Sequence, residues 1–374
     1  MFTSSFTGIG RYVFELTQNL AKLDHETEFV CFLNPREFAQ FQAPAPNFRA
    51  VKVQARHYSF AEQTTFLQAL KRERLDLMHF THFNAPLLYS RPTVVTIHDL
   101  ILSFFPGKKM NQWYHRLAYN LVLRRAVQHA QKIITVSQNT KQDLQKVLGT
   151  PSQKICVVLN GLSKKFSSTH KQASKIVSQK FGLENYLLTT GVSREHKNLP
   201  RLLQTLAYLR KTQNFSGKLV LTGPRDSLYT PTITQLIQQL KLEKSVVILG
   251  LVSEEDLQLL LEAARVFVFP SLYEGFGLPP LESMAAGTPV VASATSSLPE
   301  VCGQAAEFFD PYKLREMAAK IFQVWHFAKL RARLISAGYQ QIQKFNWQKT
   351  AQETYAVYQQ ALPALKKIRP NANL

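Results

Sequence analysis

Two glutamates eight residues apart follow a strand-like apolar run in the stretch FPSLYEGFGLPPLESMAAGTPVVAS. Glu274 lies in a glycine-containing loop, and Glu282 lies on the first turns of a helix that is predicted to begin near Pro279. A helix start that follows a glycine loop offers backbone N–H groups and a positive dipole end, which suit a phosphate. Because two carboxylates repel a phosphate, we expect Glu274 and Glu282 to accept hydrogen bonds from sugar or ribose hydroxyls.

A second candidate site lies in TTGVSREHKNLPRLL, where a predicted strand ends at Thr190, Gly191 opens a loop and a helix begins near Asn198. Lys197 stands beside that helix start. A lysine next to a helix dipole suits a diphosphate leaving group. Arg194 is a further cation of the same loop.

In TVVTIHDL, His98 lies at the carboxyl end of a predicted buried strand. Ligands collect at this end of the strands in open α/β sheets. We therefore interpret His98 as a site residue, with Asp99 either orienting it or capping the following turn.

The glycine turn TGIGRY opens a predicted helix in the first domain and carries Gly8 and Gly10. Such a turn usually follows a buried strand. The residues before it are too few and too polar for a central strand and a loop, so the first sheet is expected to lack its central strand.

Strand-length apolar runs alternate with amphipathic helical stretches along the whole chain. Most runs are non-alternating and rich in Val, Ile, Leu and Phe, which is typical of parallel strands buried on both faces. The predicted strands are 28–33, 77–80, 93–97, 132–136, 155–159, 186–190, 218–221, 246–249, 266–269, 289–292 and 306–309. The pattern predicts an α/β protein with two Rossmann-like doubly wound domains facing a cleft.

A polar, turn-forming stretch at 160–175 marks the expected domain boundary. We predict an N-terminal domain at 1–163 and a C-terminal domain at 164–345. Residues 346–374 are predicted to form a helix that crosses back to the first domain, followed by a basic tail.

The composition is that of an ordinary globular protein, with 45% hydrophobic and 19% charged residues, but the net charge of +20 is unusual. The excess of positive charge is spread over both halves of the sequence and favours anionic partners. No nucleic-acid-binding signature accompanies it. The three scattered cysteines argue against a zinc site or disulfides, and no signal peptide or spanning run is visible, so we expect a cytoplasmic protein.

The EGFGLPPLE segment resembles the Glu-x7-Glu motif of the retaining glycosyltransferases of family 4, which have the GT-B fold. The resemblance continues in order along nearly the whole chain, through TGIGRY, VVTIHDL, IITVSQNTKQDL, VVLNG, GVSREHKNLPRLL, VVILGLVSEEDL and SSLPEVCGQAAEFFDP. It implies transfer of a hexose from a nucleotide-diphosphate sugar to a glycan or lipid-linked acceptor in surface polysaccharide or glycolipid synthesis. The TGIGRY and HDL motifs resemble the mannosyltransferase-like branch, which favours mannose and GDP-mannose over a UDP-sugar.

The resemblance also implies roles for single residues. Glu274 would contact the hydroxyls of the donor sugar, Glu282 the ribose, and His98 the transferred sugar. The backbone of residues 275–278, between the two glutamates, would approach the sugar and the diphosphate. The remaining residues expected to bind the donor are Gly8, Gly10, Arg194, Lys197, Gly275, Phe276, Gly277 and Leu278.

No Asp-x-Asp pair is present, so no metal and no other cofactor is expected, and Lys197, helix dipoles and Arg194 would neutralise the leaving diphosphate. The chain departs from the family at one point. Family members usually carry an arginine directly after the glycine or directly before the lysine, where this chain has Val192 and His196.

Two alternatives remain open at this stage. One is an N-terminally truncated member that binds the donor but is catalytically weak, and the other is a nucleotide-sugar epimerase of the same fold. A Rossmann oxidoreductase is disfavoured, because GIGRY is not the GxGxxG fingerprint.

A predicted helix at 111–132 carries an apolar stripe of Trp113, Leu117 and Leu121 together with Arg116, Arg124 and Arg125. Such a helix either touches an anionic membrane surface that carries the acceptor or packs its stripe on its own sheet. An inner-membrane surface is therefore a further expected partner.

Overall fold

The computed structural model describes residues 8–55, 59–107, 110, 112–163, 170, 172–191 and 194–362. The helices are α1 (Gly8–Leu20), α2 (Pro35–Ala39), α3 (Leu67–Glu73), α4 (Ile101–Phe104), α5 (Trp113–His129), α6 (Gln138–Leu148), α7 (Ala173–Phe181), α8 (Leu199–Gln213), α9 (Thr230–Gln239), α10 (Glu254–Ala263), α11 (Leu278–Ala285), α12 (Leu298–Cys302), α13 (Leu314–His326), α14 (Ala328–Ile342) and α15 (Trp347–Ala361). The strands are β1 (Phe29–Leu33), β2 (Phe48–Lys52), β3 (Met78–Phe80), β4 (Thr93–Ile97), β5 (Lys132–Thr135), β6 (Ile155–Val157), β7 (Tyr186–Thr190), β8 (Lys218–Thr222), β9 (Val246–Gly250), β10 (Val266–Phe269), β11 (Val290–Ser293) and β12 (Ala306–Phe309). Every strand pair is parallel, and helices connect the strands.

The chain divides into two compact units. Unit 1 comprises Met1–Leu100, Met110–Gly161 and Asn346–Leu374, and unit 2 comprises Ile101–Lys109 and Leu162–Phe345. The short segment Ile101–Lys109 therefore groups with unit 2, although the sequence analysis assigned it to the first domain. Its aromatic side chains explain the grouping, because the rings of Phe104 and Tyr273 lie 5.1 Å apart.

Unit 2 contains one six-stranded sheet with the strand order β12-β11-β10-β7-β8-β9. Its central strands β7 and β10 are buried along almost their whole length, as their uninterrupted apolar sequences predict. The core packs α8, α9 and α13 against this sheet.

The described parts of unit 1 contain two separate parallel sheets, one of β1 and β2 and one in the order β3-β4-β5-β6. A cavity of about 760 Å³ lies between them and is lined by residues of both β1 and β3. The sequence analysis expects the first sheet to lack its central strand. Residues 1–7, which that expectation concerns, lie outside the described residues.

Strand β2 is absent from the sequence prediction. Its residues FRAVK include two charges, and only Phe48 is fully buried. An edge strand with this composition gives no continuous apolar run, because one side of it faces water.

Helix α15 belongs to unit 1, where it packs against α1 through Trp347 and Ala351. The approach is close, since a Cβ on Gly161 would lie 2.3 Å from the backbone nitrogen of Trp347. The glycine of the VVLNG motif thus permits this contact. The basic tail beyond residue 362 lies outside the described residues.

Candidate functional site

Four neighbouring strands of unit 2 direct their following loops to the same edge of the sheet. These strands are β11, β10, β7 and β8, in that spatial order. Because the carboxyl ends of parallel strands lie at one edge, the loops that begin at Ala294, Pro270, Gly191 and Gly223 come together there. This brings the two motifs that the sequence analysis considered separately into one site.

Lys197 and Glu274 form an ion pair at the centre of this site. The Nζ of Lys197 donates to Oε1 of Glu274 at 2.6 Å, and the two side chains are only 17% and 11% exposed. Lys197 also lies 5.1 Å from the centre of the Phe269 ring, where the attraction between a cation and the face of a ring adds to the pair. A cation and a carboxylate with little contact with water therefore lie side by side.

Two serines hold the loop that carries Glu274. The backbone N–H of Glu274 donates to Oγ of Ser296 at 2.9 Å. The hydroxyl of Ser297 lies within hydrogen-bond distance of the carbonyl oxygens of Glu274 and Phe276, at 3.0 and 2.7 Å. The sequence analysis did not identify these serines, although SSLPE follows a predicted strand in the same way as the other site loops.

The loop reaches α11 through Gly277, which has a φ of +103°. A Cβ at this position would lie 2.8 Å from a methyl carbon of Leu298, so both the conformation and the space favour glycine. The side chain of Phe276 points away into the core, where its ring meets the ring of Phe345 edge-on at 5.7 Å. The side chain of Phe276 is therefore part of the core of unit 2.

Helix α11 begins at Leu278, and prolines occupy its next two positions. No side chain of the described residues caps its N-terminus. Because proline has no N–H, only Leu278 and Leu281 carry N–H groups in this first turn, and such groups at a helix start suit an anion. Glu282 lies one turn further along and is 8% exposed, so its carboxylate is held in place by its surroundings.

The loop after β7 contains both Lys197 and Arg194. A 3₁₀ turn at Glu195–Lys197 leads through Asn198, which has a φ of +56°, into α8. Arg194 is exposed at the start of the turn. His196, which stands where the family usually has an arginine, is buried, and this burial lowers its pKa to about 4, with the charge of Lys197 adding to the effect. His196 is therefore neutral near pH 7 and does not replace the arginine charge; Val192 lies outside the described residues.

A glycine that the sequence analysis missed forms part of the same edge. Gly223 follows β8 with a φ of +128°, and a Cβ there would lie 2.4 Å from the carbonyl oxygen of Gly191. Both glycines follow a Thr at the end of a strand, in TTG and LTG. This repeated Thr-Gly pattern could have identified Gly223 from the sequence.

In unit 1, His98 lies directly after β4 and is half-buried. Its Nε2 lies 2.9 Å from the carbonyl oxygen of Thr81, and burial lowers its pKa to about 4. A carbonyl oxygen only accepts hydrogen bonds, so Nε2 carries the proton and Nδ1 holds a lone pair. His98 is thus a neutral imidazole near pH 7 that can accept a hydrogen bond from a hydroxyl.

A buried chain of side chains surrounds His98. The Tyr12 ring meets the His98 ring edge-on at 4.9 Å, and the Tyr12 hydroxyl lies 3.1 Å from Oγ1 of Thr96. Thr96 also contacts Nε2 of His79 at 2.8 Å, and Nδ1 of His79 lies 2.7 Å from the hydroxyl of Tyr358 on α15. Burial raises the pKa of Tyr12 to about 12 and lowers that of His79 to about 3, so the whole chain is uncharged.

Gly8 and Gly10 are in the first turn of α1, where Gly8 is exposed and Gly10 is buried. They lie in the same unit as His98. Although α1 and His98 are far apart in sequence, Tyr12 of α1 contacts the His98 ring. Among the residues that the structure describes, no three His, Cys, Asp or Glu side chains come together in a group that could hold a metal ion.

Comparisons with known proteins identify the family of the chain. Residues 6–165 match the family Glycosyltransferase Family 4, and residues 170–341 match Glycosyl transferases group 1. The chain is 30% identical over 372 residues to O-antigen chain mannosyltransferase B of Escherichia coli, which covers 94% of this chain and 96% of that protein.

Two solved structures have the same fold. A sucrose-phosphate synthase from Thermosynechococcus elongatus superposes with a TM-score of 0.78 at 22% identity, over 95% of this chain and 93% of its own. Anabaena HepE in complex with UDP-glucose superposes with a TM-score of 0.74 at 18% identity, over 96% of this chain and 97% of its own. With its two Rossmann-like units of the GT-B class, the chain belongs to the family 4 glycosyltransferases and is a hexosyltransferase.

Proposed function

We propose that this hexosyltransferase is a retaining, metal-independent enzyme that moves mannose from a nucleotide-diphosphate mannose to a glycan or lipid-linked acceptor. The observation that carries the proposal is the Lys197–Glu274 pair at the carboxyl edge of the unit 2 sheet. It supplies one group for an anionic diphosphate and one for sugar hydroxyls, at neighbouring positions.

In this proposal the donor takes over both halves of the ion pair. Lys197 turns from Glu274 to the diphosphate, and Glu274 accepts hydrogen bonds from the sugar hydroxyls. Glu282 binds the ribose, and backbone N–H groups of the segment from Gly275 to Leu278 meet the diphosphate and the sugar. Arg194 is exposed beside Lys197 and adds positive charge where the leaving group forms.

His98 contributes an acceptor rather than a charge. With its proton on Nε2, its Nδ1 accepts a hydrogen bond from a hydroxyl of the transferred sugar and aligns that sugar. Gly8 and Gly10 have no side chains at the start of α1, so the backbone there can come close to the diphosphate.

The chemistry follows from these groups. The glycosidic bond to the diphosphate breaks while the acceptor hydroxyl attacks from the same face, and a departing phosphate oxygen takes the hydroxyl proton. The new bond keeps the configuration at the anomeric carbon. Lys197 and the helix N-termini stabilise the negative charge of the diphosphate as it leaves.

GDP-mannose is the donor that we favour, because the E. coli relative is a mannosyltransferase. A UDP-sugar is the second candidate, because HepE binds UDP-glucose in the same fold. We assign donor binding to the domain at 164–345, acceptor binding to the domain at 1–163 with the helix at 346–374, and the site of action to the cytoplasmic face of a membrane.

Isothermal titration calorimetry with GDP- and UDP-sugars tests the proposal. We expect the wild type to bind GDP-mannose, and Glu282→Ala to weaken binding by about 1.5–3 kcal/mol, which is the value of hydrogen bonds to a charged group. Glu243→Ala, which removes an exposed carboxylate elsewhere in unit 2, is the matched control and should bind like the wild type. Absence of binding for every nucleotide sugar would contradict the proposal, and a product analysis that finds an epimerised sugar instead of a glycoside would contradict the transfer step.

A further inference from the structure

Helix α5 carries an apolar face on each of its two sides. Tyr119, Leu123, Ala126 and Val127 are buried in unit 1. On the other side the structure exposes four large side chains, which are Trp113 (72%), Tyr114 (51%), Leu117 (59%) and Leu121 (55%). The stripe that the sequence analysis left between two interpretations therefore does not pack on its own sheet.

The exposed side chains form one row. Trp113, Leu117 and Leu121 are spaced four residues apart, so they lie one above the other along the helix, and Tyr114 lies beside them. An exposed row of this kind on a helix that already has a buried face is not needed for folding. It therefore indicates a surface that contacts something else.

The surroundings of this row are positively charged. Arg116, Arg124 and Arg125 are exposed on the same helix. From residue 100 to residue 142 the sequence has seven lysines and arginines and no aspartate or glutamate. The row therefore has no carboxylate of its own segment beside it that would repel an anionic surface.

Two further exposed apolar side chains are tied to α5 through Leu87. Nε of Arg125 donates to the carbonyl oxygen of Leu87 at 3.0 Å, and the N–H of Leu87 donates to Oε1 of Gln63 at 2.8 Å. The next residue, Leu88, is 73% exposed, and Phe60, one turn before Gln63, is 82% exposed. We call the four exposed side chains of α5, Trp113, Tyr114, Leu117 and Leu121, the α5 patch, and Phe60 and Leu88 are exposed apolar side chains on segments that are hydrogen-bonded to this helix through Leu87.

We propose that the α5 patch docks unit 1 on an anionic lipid bilayer, with its apolar side chains among the acyl chains and the arginines on the lipid phosphates. Amphipathic helices that combine Trp and Leu with arginines bind at the interface of membranes in this way. The structure has no helix among its described residues that is long and apolar enough to cross a bilayer, so binding of this kind is peripheral. The inference deepens the proposed function and rests on it in one respect, because a lipid-linked acceptor is presented at a membrane surface.

Vesicle sedimentation tests the proposal on the full chain. We expect the wild type to bind vesicles of phosphatidylcholine and phosphatidylglycerol in equal parts, and to bind phosphatidylcholine alone at least about tenfold more weakly, with the difference falling as salt screens the charges. Leu117→Gln combined with Leu121→Gln should lose at least about tenfold in partitioning. Leu251→Gln, which changes a 62% exposed leucine of unit 2, is the matched control and should bind like the wild type.

Tryptophan emission reports insertion at the patch directly. The chain has three tryptophans, of which Trp325 and Trp347 are buried, so a blue shift on adding mixed vesicles is expected from Trp113 and should vanish in Trp113→Phe. Three results would overturn the inference: no binding to the mixed vesicles, equal binding to both vesicle types, or unchanged binding of the double leucine variant. Capture of a soluble protein by the patch without vesicle binding would also overturn it.

Calorimetry with GDP-mannose on the same variants separates this inference from the proposed function. The double leucine variant should retain wild-type donor affinity, because its changes lie in unit 1, outside the donor-binding residues. A wild type that binds mixed vesicles but no nucleotide sugar would leave the docking surface standing and refute the proposed function.

Discussion

The Lys197–Glu274 pair allows a quantitative test, because each partner can be neutralised without changing its shape much. Lys197→Met leaves Glu274 without its cation, and Glu274→Gln leaves Lys197 without its anion, in a site where the two side chains are 17% and 11% exposed. Removing one partner of a buried pair costs about 3–5 kcal/mol of unfolding free energy. Because the two side chains keep some contact with water, we expect the lower end of this range. Each single variant should lose about 3 kcal/mol of unfolding free energy.

The double variant should be destabilised by less than the sum of the two single changes, because it leaves no unpaired charge. Coupling energies for residues in contact are about 0.5–3 kcal/mol, and a 2.6 Å pair belongs in the upper half of that range. Differential scanning calorimetry measures these differences. For a unit of this size each kcal/mol corresponds to a fall in Tm of roughly 2–4 °C, so each single variant should melt about 6–12 °C lower.

Addition of GDP distinguishes the two single variants. Lys197→Met should bind GDP more weakly by about 1.5–3 kcal/mol, which corresponds to roughly a 10- to 150-fold higher Kd. Glu274→Gln should bind it at least as tightly as the wild type, since its lysine is already free of the carboxylate. The reasoning fails if the two single changes add to the double change, or if Lys197→Met binds GDP with wild-type affinity.

Three further outcomes follow from single features. Tyr12→Phe removes the hydroxyl that contacts Thr96 but keeps the ring beside His98. Urea unfolding should therefore show a loss of about 1 kcal/mol of unfolding free energy. A loss larger than that of Tyr12→Ala would contradict this account. Gly223→Ala combines a φ of +128° with a Cβ 2.4 Å from a carbonyl oxygen, so it should cost at least about 3 kcal/mol in thermal melts. Gly182→Ala, with a φ of +63° and open space, should cost only about 1–2 kcal/mol, and equal losses would refute the steric argument. Acidification from pH 6.5 to 4 should destabilise the fold, because His79, His98 and His196 have folded pKa values of about 3 to 4 and the unfolded chain takes up protons first. Each contributes up to about 1.4 kcal/mol per pH unit, and an unfolding free energy that stays constant across this range would contradict the reasoning.

The strands that position the site could be predicted from the sequence, because they are buried on both faces. Val266–Phe269 and Tyr186–Thr190 are continuous apolar runs bounded by loop residues, and the structure places strands at these positions. The loops after them were recognised from glycines next to charged residues. Strand β2 escaped prediction for the opposite reason, since its sequence FRAVK has two charged residues and no continuous apolar run.

The contacts between motifs could not be read from the chain. Lys197 and Glu274 are 77 residues apart, and they meet because β7 and β10 are neighbours in the sheet. Sequence periodicity predicts that a run is a strand but not which other strand lies beside it. The tautomer of His98 was equally hidden, because it depends on the carbonyl oxygen of Thr81 in another loop.

The two units differ in how firmly they hold their site residues. In unit 2, a continuous six-stranded sheet fixes the loops around Glu274. In unit 1, α1 has one face, including Leu16, on the cavity between β1 and β3, while Tyr12 of the same helix holds the ring of His98. The two sheets of unit 1 do not join among the described residues, and α1 and α15 pack on residues of both. Phe66 also contacts both, through the rings of Phe32 and Phe80. Any change in how the space between β1 and β3 is filled should therefore act on His98 through α1, whereas Lys197 and Glu274 depend on a sheet that has no such gap.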